Sequence, residues 1–389
     1  MRLSHSLSPL LSFLACLHLI TSSPTPDPHS DRDHARKVPA QLFSELEELA
    51  RVVDITYCSP AIAKPFTCLS RCKDFPHFEL ITTWDTGPLL SDSAGYIALD
   101  HGKDRIIVAF RGTYSLANTV ADLSTVPQKY EPYPGEDGNV AVVGKRSSQH
   151  SLGSAQDGFP LPPQSTDEIK CPNCTVHMGF QRSWTNTRAA ILPHLQQQIF
   201  LHPAYELHLV GHSLGGAVAA LAGLEMLARG ANPKITTYGE PRVGNRNLAE
   251  YLDRRFGLLE DDDSTDLRYR RVTHIDDPVP LLPLTEWGYA AHAGEIFISK
   301  KALSPGLRDL VICDGDSDPG CIVGQDQTAD MSGTVAAQKR DRLGSVRDEL
   351  LQDVMSEPSG VVPARYRLWE LFFAHRDYFW RLGLCVPGG

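Results

Sequence analysis

The chain reads as an α/β protein with a mostly parallel central sheet and helices on both faces. Two observations carry this. Short apolar strands alternate with helical segments from about residue 39 onward, the pattern of a sheet whose crossovers are helices. A composition of 42% hydrophobic and 22% charged residues in 389 is that of a globular chain long enough to bury a large core.

Taken in order, the first segment lies outside that body. Arg2 and the apolar run from Leu7 to Ile20, closed by Thr21-Ser22-Ser23, read as a secretory signal peptide over residues 1–23. The run is too short for a membrane span, and no later segment approaches one. Residues 24–38 are Pro-rich, and Arg36-Lys37 is a hypothetical second processing site. A single folded domain is expected over 39–389.

Leu42, Leu46, Leu49 and Val53 recur at helical spacing, so Pro39–Tyr57 reads as a helix with one apolar face. Phe78–Trp84, Gly95–Asp100 and Asp104–Arg111 read as strands. Behind the third, Leu116, Val120 and Leu123 share one helical face; core packing and a small lid are both open readings. Residues 128–170 are rich in Pro, Gly, Ser and Gln and read as a surface insertion. Thr175–Leu201 reads as a long helix disturbed at Pro193, and Ile235–Tyr238 as a strand followed by a helix over Asn245–Phe256. Arg268–His274 and Glu295–Ser299 read as strands, 324–360 as a second insertion, and Arg365–Phe379 as a C-terminal amphipathic helix.

The most informative stretch is Tyr205–Gly223. Leu207, Leu209 and Val210 read as a buried strand and Leu214–Arg229 as an Ala-rich helix closed by Gly230. Between them, Gly211-His212-Ser213-Leu214-Gly215 fits G-x-S-x-G, the sharp strand-to-helix turn that presents a serine hydroxyl beyond the strand end. The helix N-terminus behind it favours negative charge. A serine needs a base to take its proton, and the base needs an orienting carboxylate. The order for such a sheet is Ser, acid, His. Asp276 and Asp277 follow a strand end. His292 and His375 satisfy the order, whereas His274 breaks it. Spacing alone leaves both the acid and the base open.

A net charge of −10 disfavours nucleic acid and electrostatic attachment to anionic membranes. Of nine cysteines, Cys16 lies in the signal segment and eight remain, which in an exported chain points to four disulfides. Cys171-Pro172-Asn173-Cys174 has C-x-x-C spacing, but no second pair completes a zinc set, so a tight disulfide is expected. Asp314–Asp318 starts like a calcium loop but has Pro319 where glycine is required and Gln325 where the closing Glu belongs. No metal and no cofactor is expected.

Together Phe110-Arg-Gly-Thr113, Gly211-His-Ser-Leu-Gly-Gly216, Tyr238-Gly-Glu-Pro-Arg-Val-Gly-Asn245, Thr273-His-Ile-Asp-Asp-Pro-Val-Pro280 and Ala374-His375 resemble the class 3 lipase family of secreted filamentous-fungal type. The resemblance runs from about residue 40 to the end and implies an α/β-hydrolase fold. It maps the acid to Asp277, the base to His375, and the oxyanion hole to backbone N–H groups of Thr113 and Leu214, with the Thr113 hydroxyl helping to hold its loop. It implies disulfides Cys58–Cys385, Cys68–Cys72 and Cys171–Cys174, leaving Cys313–Cys321. His292 is then expected to be a structural hydrogen-bonder and Asp276 solvated. Three departures bear on the cleft: Thr119 where such lipases often carry Trp, the long 128–170 link, and the added 324–360.

The activity so implied is that of a secreted serine carboxylester hydrolase, foremost a triacylglycerol lipase meeting a lipid or ester substrate at an oil–water interface. A feruloyl-type esterase and a non-catalytic lipid-binding relative are the alternatives.

Overall fold

Strand β4 (Arg105–Phe110) is apolar on both sides because it is covered on both sides: Ile106, Val108 and Phe110 enter one core and Ile107 and Ala109 the other. The structure is a computed structural model that describes residues 36–59, 61–87, 93–113, 127–133, 170–259, 267–325 and 374–386. By its contacts the chain divides after His34, and everything described belongs to the second unit. The signal segment, the face of Leu116, Val120 and Leu123, and most of both insertions lie outside the described residues.

In chain order the strands are β1 (Arg36–Lys37), β2 (Phe78–Asp85), β3 (Ala94–Asp100), β4, β5 (Pro127–Lys129), β6 (Thr175–His177) and β7 (Glu206–His212). There follow β8 (Lys234–Tyr238), β9 (Gly244–Asn245), β10 (Tyr269–His274), β11 (Tyr289–Ala290), β12 (Glu295–Ile298) and β13 (Leu310–Ile312). Nine of them form one sheet in the order β1-β13-β12-β10-β8-β7-β4-β3-β2. Its centre, β4 to β12, is parallel, and both edges are antiparallel. The other four make a small antiparallel sheet, β11-β9-β6-β5.

Helix α1 (Ala40–Ile55) buries Leu42, Leu46, Leu49 and Val53 in the core on one face of the sheet. Helices α2 (Met178–Leu201), α3 (Leu214–Ala228) and α4 (Arg246–Phe256) place most of their buried apolar residues in the other. Pro193 sits inside α2. Helix α4 is capped by the Asn245 side chain, which accepts from Leu248 N–H (3.1 Å), and ends on Gly257 in the left-handed conformation.

Two expectations change, and one segment gains a structural role. Thr175–His177 is a strand rather than the first turn of α2, because Val176 pairs with both Gln128 and Gly244. Arg36-Lys37, read only as a processing hypothesis, is an edge strand on β13. The described end of the expected C-terminal helix is not helical: past Ala374 the chain turns, closing an isolated bridge between Asp377 and Arg381.

The structure joins Cys58–Cys385, Cys68–Cys72, Cys171–Cys174 and Cys313–Cys321. Cys313 and Cys321 lie near Glu295, but both sulfurs are spent on the disulfide and Glu295 accepts from Thr273 and Ile322. The calcium-like Asp318 likewise accepts from the backbone N–H groups of Asp314 and Gly320. Among the described residues no helix is long and apolar enough to cross a membrane.

Candidate active site

The site assembles at the carboxyl ends of β4, β7, β8 and β10. Strand β7 ends at His212, and Ser213 turns the chain into α3 with φ 56° and ψ −129°, a region costly for a residue with a side chain. The turn is held by Ser213 N–H donating to Tyr238 O (2.9 Å). Helix packing stabilises the strained serine: every residue from Leu214 to Leu227 is buried.

Beside it, β4 runs out through Gly112 to Thr113. A Cβ on Gly112 would lie 2.9 Å from Ser213 Cβ and 2.5 Å from the Tyr57 hydroxyl, so only glycine lets this loop approach the serine so closely. Leu214 opens α3, and the first N–H groups of a helix have no intrahelical acceptor. The Thr113 hydroxyl is buried without a hydrogen-bond partner among the described residues, so the loop-holding bond expected of it is not seen there.

Asp277 follows β10 in the turn before Val279-Pro280-Leu281. His375 Nδ1 lies 3.0 and 2.9 Å from the two Asp277 carboxylate oxygens. Tyr378 Oη donates to Oδ2 (2.5 Å) and Val279 N–H to Oδ1 (2.9 Å). Burial pushes the Asp277 carboxyl up, but the His375 ring and these donors outweigh it and hold it below the usual carboxylate range. An ionised carboxylate only accepts, so His375 carries its proton on Nδ1 and offers the Nε2 lone pair. Ser213 Oγ and His375 Nε2 are both buried and without hydrogen-bond partners among the described residues. Unpaired buried polar atoms are uncommon in a folded interior.

His212 ties the two halves together. Its Nε2 donates to the main-chain oxygen of His375 (2.8 Å), its Nδ1 meets the Tyr57 hydroxyl (2.6 Å), and its ring stacks on that of His375 with centroids 4.7 Å apart. Burial, helped by the nearby His375, depresses the His212 pKa to about 3, so the ring is neutral and needs no counter-charge. Gly239, at φ +59°, passes between these groups; a Cβ there would lie 2.8 Å from His375 Cε1 and 2.9 Å from Asp277 Oδ2.

The other carboxylate and histidines are held elsewhere. Asp276 pairs with Lys301 Nζ at 2.9 Å, on the surface. His292 is buried against Glu240 (3.2 Å), which also accepts from Thr237 (2.6 Å) and Tyr269 (2.8 Å). His274 is buried, and burial lowers its pKa. Sequence reasoning missed Tyr57, His212, Tyr378, Gly112 and Gly239 as parts of the site. Four of the five sit inside or next to motifs already singled out, whereas nothing local marks Tyr57, 155 residues before its partner.

The profile of the family described as Lipase (class 3) matches residues 107–287. A "Secreted mono- and diacylglycerol lipase 2" of Gibberella zeae is 47% identical over 97% of this chain and 90% of its own. The chain belongs to the class 3 lipase family. "Lipase A" of Sodiomyces alcalophilus is 49% identical over 93% of this chain and 86% of its own. A "Secreted mono- and diacylglycerol lipase A" of Penicillium camembertii is 32% identical over 71% and 73%. Among solved structures, Lip2 lipase from Yarrowia lipolytica superposes with a TM-score of 0.66 at 28% identity, covering 90% of this chain and 98% of that one. This class 3 lipase is accordingly a secreted carboxylic ester hydrolase of α/β-hydrolase fold, with lipid or ester substrates.

Proposed function

We propose that Ser213, His375 and Asp277 form the catalytic triad of an acylglycerol lipase, with Thr113 and Leu214 N–H groups as oxyanion donors. The observation that carries this reading is the buried Asp277–His375 pair, which leaves His375 Nε2 without a hydrogen-bond partner among the described residues, its ring stacked on His212, the residue before a serine on a strained turn. His375 takes the Ser213 proton as Oγ attacks the ester carbonyl. The two N–H groups stabilise the oxyanion; one such donor is worth about 3–4 kcal/mol of barrier. His375 then passes its proton to the departing glyceryl oxygen. Water, deprotonated by the same nitrogen, cleaves the acyl-enzyme and restores Ser213, releasing the fatty acid.

The substrates are taken to be acylglycerols met at an oil–water interface. Triacylglycerol is the class the sequence resemblance implies; mono- and diacylglycerols are those after which the Gibberella and Penicillium relatives are named. A substrate panel on the purified enzyme tests this, with tri-, di- and monoacylglycerol emulsions beside a soluble hydroxycinnamate ester. The expected result is acylglycerol hydrolysis that rises when substrate passes into emulsion and vanishes in Ser213→Ala. Preference for the hydroxycinnamate ester would overturn the substrate assignment, and full activity in Ser213→Ala the mechanism.

A further inference from the structure

We propose that Asn173 is an N-glycan acceptor whose modification competes with closure of the Cys171–Cys174 disulfide. Asn173-Cys174-Thr175 is the only Asn-x-Ser/Thr sequence in the chain. Asn173 is exposed at the tip of the four-residue ring, in a left-handed conformation at φ 59°. Its main-chain oxygen accepts from Asn245 Nδ2 (2.8 Å), while its own side-chain amide makes no hydrogen bond among the described residues. The backbone is thus pinned and the amide is left outside, so the fold accommodates a bulky group there.

The same structure sets the order of events. Thr175 N–H donates to Asn245 Oδ1 (3.0 Å), and Thr175 pairs with Lys129 as the first residue of β6. The middle residue of the acceptor sequence is itself half of the disulfide. Once the ring is closed and β6 paired, the sequence cannot rearrange to enter a transferase. Transfer must therefore precede closure. The Asn173 amide nitrogen loses a proton and bonds to the first sugar's anomeric carbon. The bond from that carbon to the pyrophosphate of a polyprenyl-linked oligosaccharide donor breaks, and the lipid pyrophosphate leaves. Two rates then compete for one short segment, and the exported enzyme divides into modified and unmodified forms, both with the ring closed.

The test is intact-mass analysis of the full chain secreted from a fungal host, before and after an endoglycosidase that removes N-glycans. The wild type is expected to show two mass classes that merge on treatment, with conversion of Asn173 to Asp mapped in its peptide. Asn173→Gln and Thr175→Ala should each give only the lighter class. Cys171→Ser with Cys174→Ser should move the population to the heavier class. A wild type of single, enzyme-insensitive mass overturns the proposal whatever the variants do. Occupancy unchanged by loss of the two cysteines overturns the competition with the disulfide.

Discussion

His212 Nε2 lies 2.8 Å from the main-chain oxygen of His375, so the residue before Ser213 holds the chain that carries His375. The two meet across 163 positions of sequence, and the bond sets where the imidazole of His375 stands relative to Ser213. Removing it with His212→Asn should leave a folded enzyme whose kcat falls about tenfold, as one lost hydrogen bond of about 1–2 kcal/mol predicts, with KM little changed. Steady-state kinetics on a soluble short-chain ester would show it; a change confined to KM would speak against the positioning role.

The same histidine has a pH signature. Folded His212 stays neutral down to about 3, whereas the unfolded side chain protonates near the ordinary histidine value of 6.5. Between those values the unfolded state binds the extra proton, so folding stability is lost as pH falls through this window. His208, depressed to about 4 by burial, adds to the same loss. Melting temperature followed against pH should therefore decline less steeply in His212→Asn than in the wild type. An identical slope would mean that His212 does not contribute.

Tyr378→Phe removes one of the donors that hold Asp277 ionised, and should lower kcat about tenfold. Because the folded pKa of Asp277 is depressed, its stabilisation is present above the ordinary carboxylate range and fades as pH drops towards the folded value. The variant raises that folded value, so it should be less stable at neutral pH and lose less on acidification. Thermal melts over the acid range check both halves.

Gly239→Ala adds a methyl group 2.7 Å from the Tyr378 hydroxyl and 2.8 Å from His375 Cε1, on a backbone at φ +59°. Left-handed strain of about 1 kcal/mol and overpacking of about 1–3 kcal/mol combine to lower the melting temperature and to displace His375. Activity should fall by more than the stability loss alone explains, visible as reduced kcat at a temperature where the variant is fully folded.

Much of this architecture is legible in the sequence where the cause is local. Gly211–Gly215 between an apolar strand and an Ala-rich helix fixes its own turn, and α1 is set by Leu42, Leu46, Leu49 and Val53 on one face. The failures are of long range. Thr175–His177 takes strand form because Gly244 and Gln128 supply partners that no local pattern announces. Past Ala374 the chain is shaped by His212, Asp277 and the buried Asp54, whose carboxylate accepts from Gly383 N–H (2.7 Å), rather than by helical periodicity. The choice of Asp277 over Asp276 turns on one residue of register at a strand end, which letters alone leave open.

The most direct measurement is labelling of the purified enzyme with a serine-reactive fluorophosphonate, followed by peptide mapping. One adduct per chain on Ser213 is predicted, with the labelling rate reduced by several decades in His375→Ala and Asp277→Asn but not in His292→Ala. A protein that stays unlabelled, carries the adduct on another serine, or loses reactivity only in His292→Ala would contradict the account.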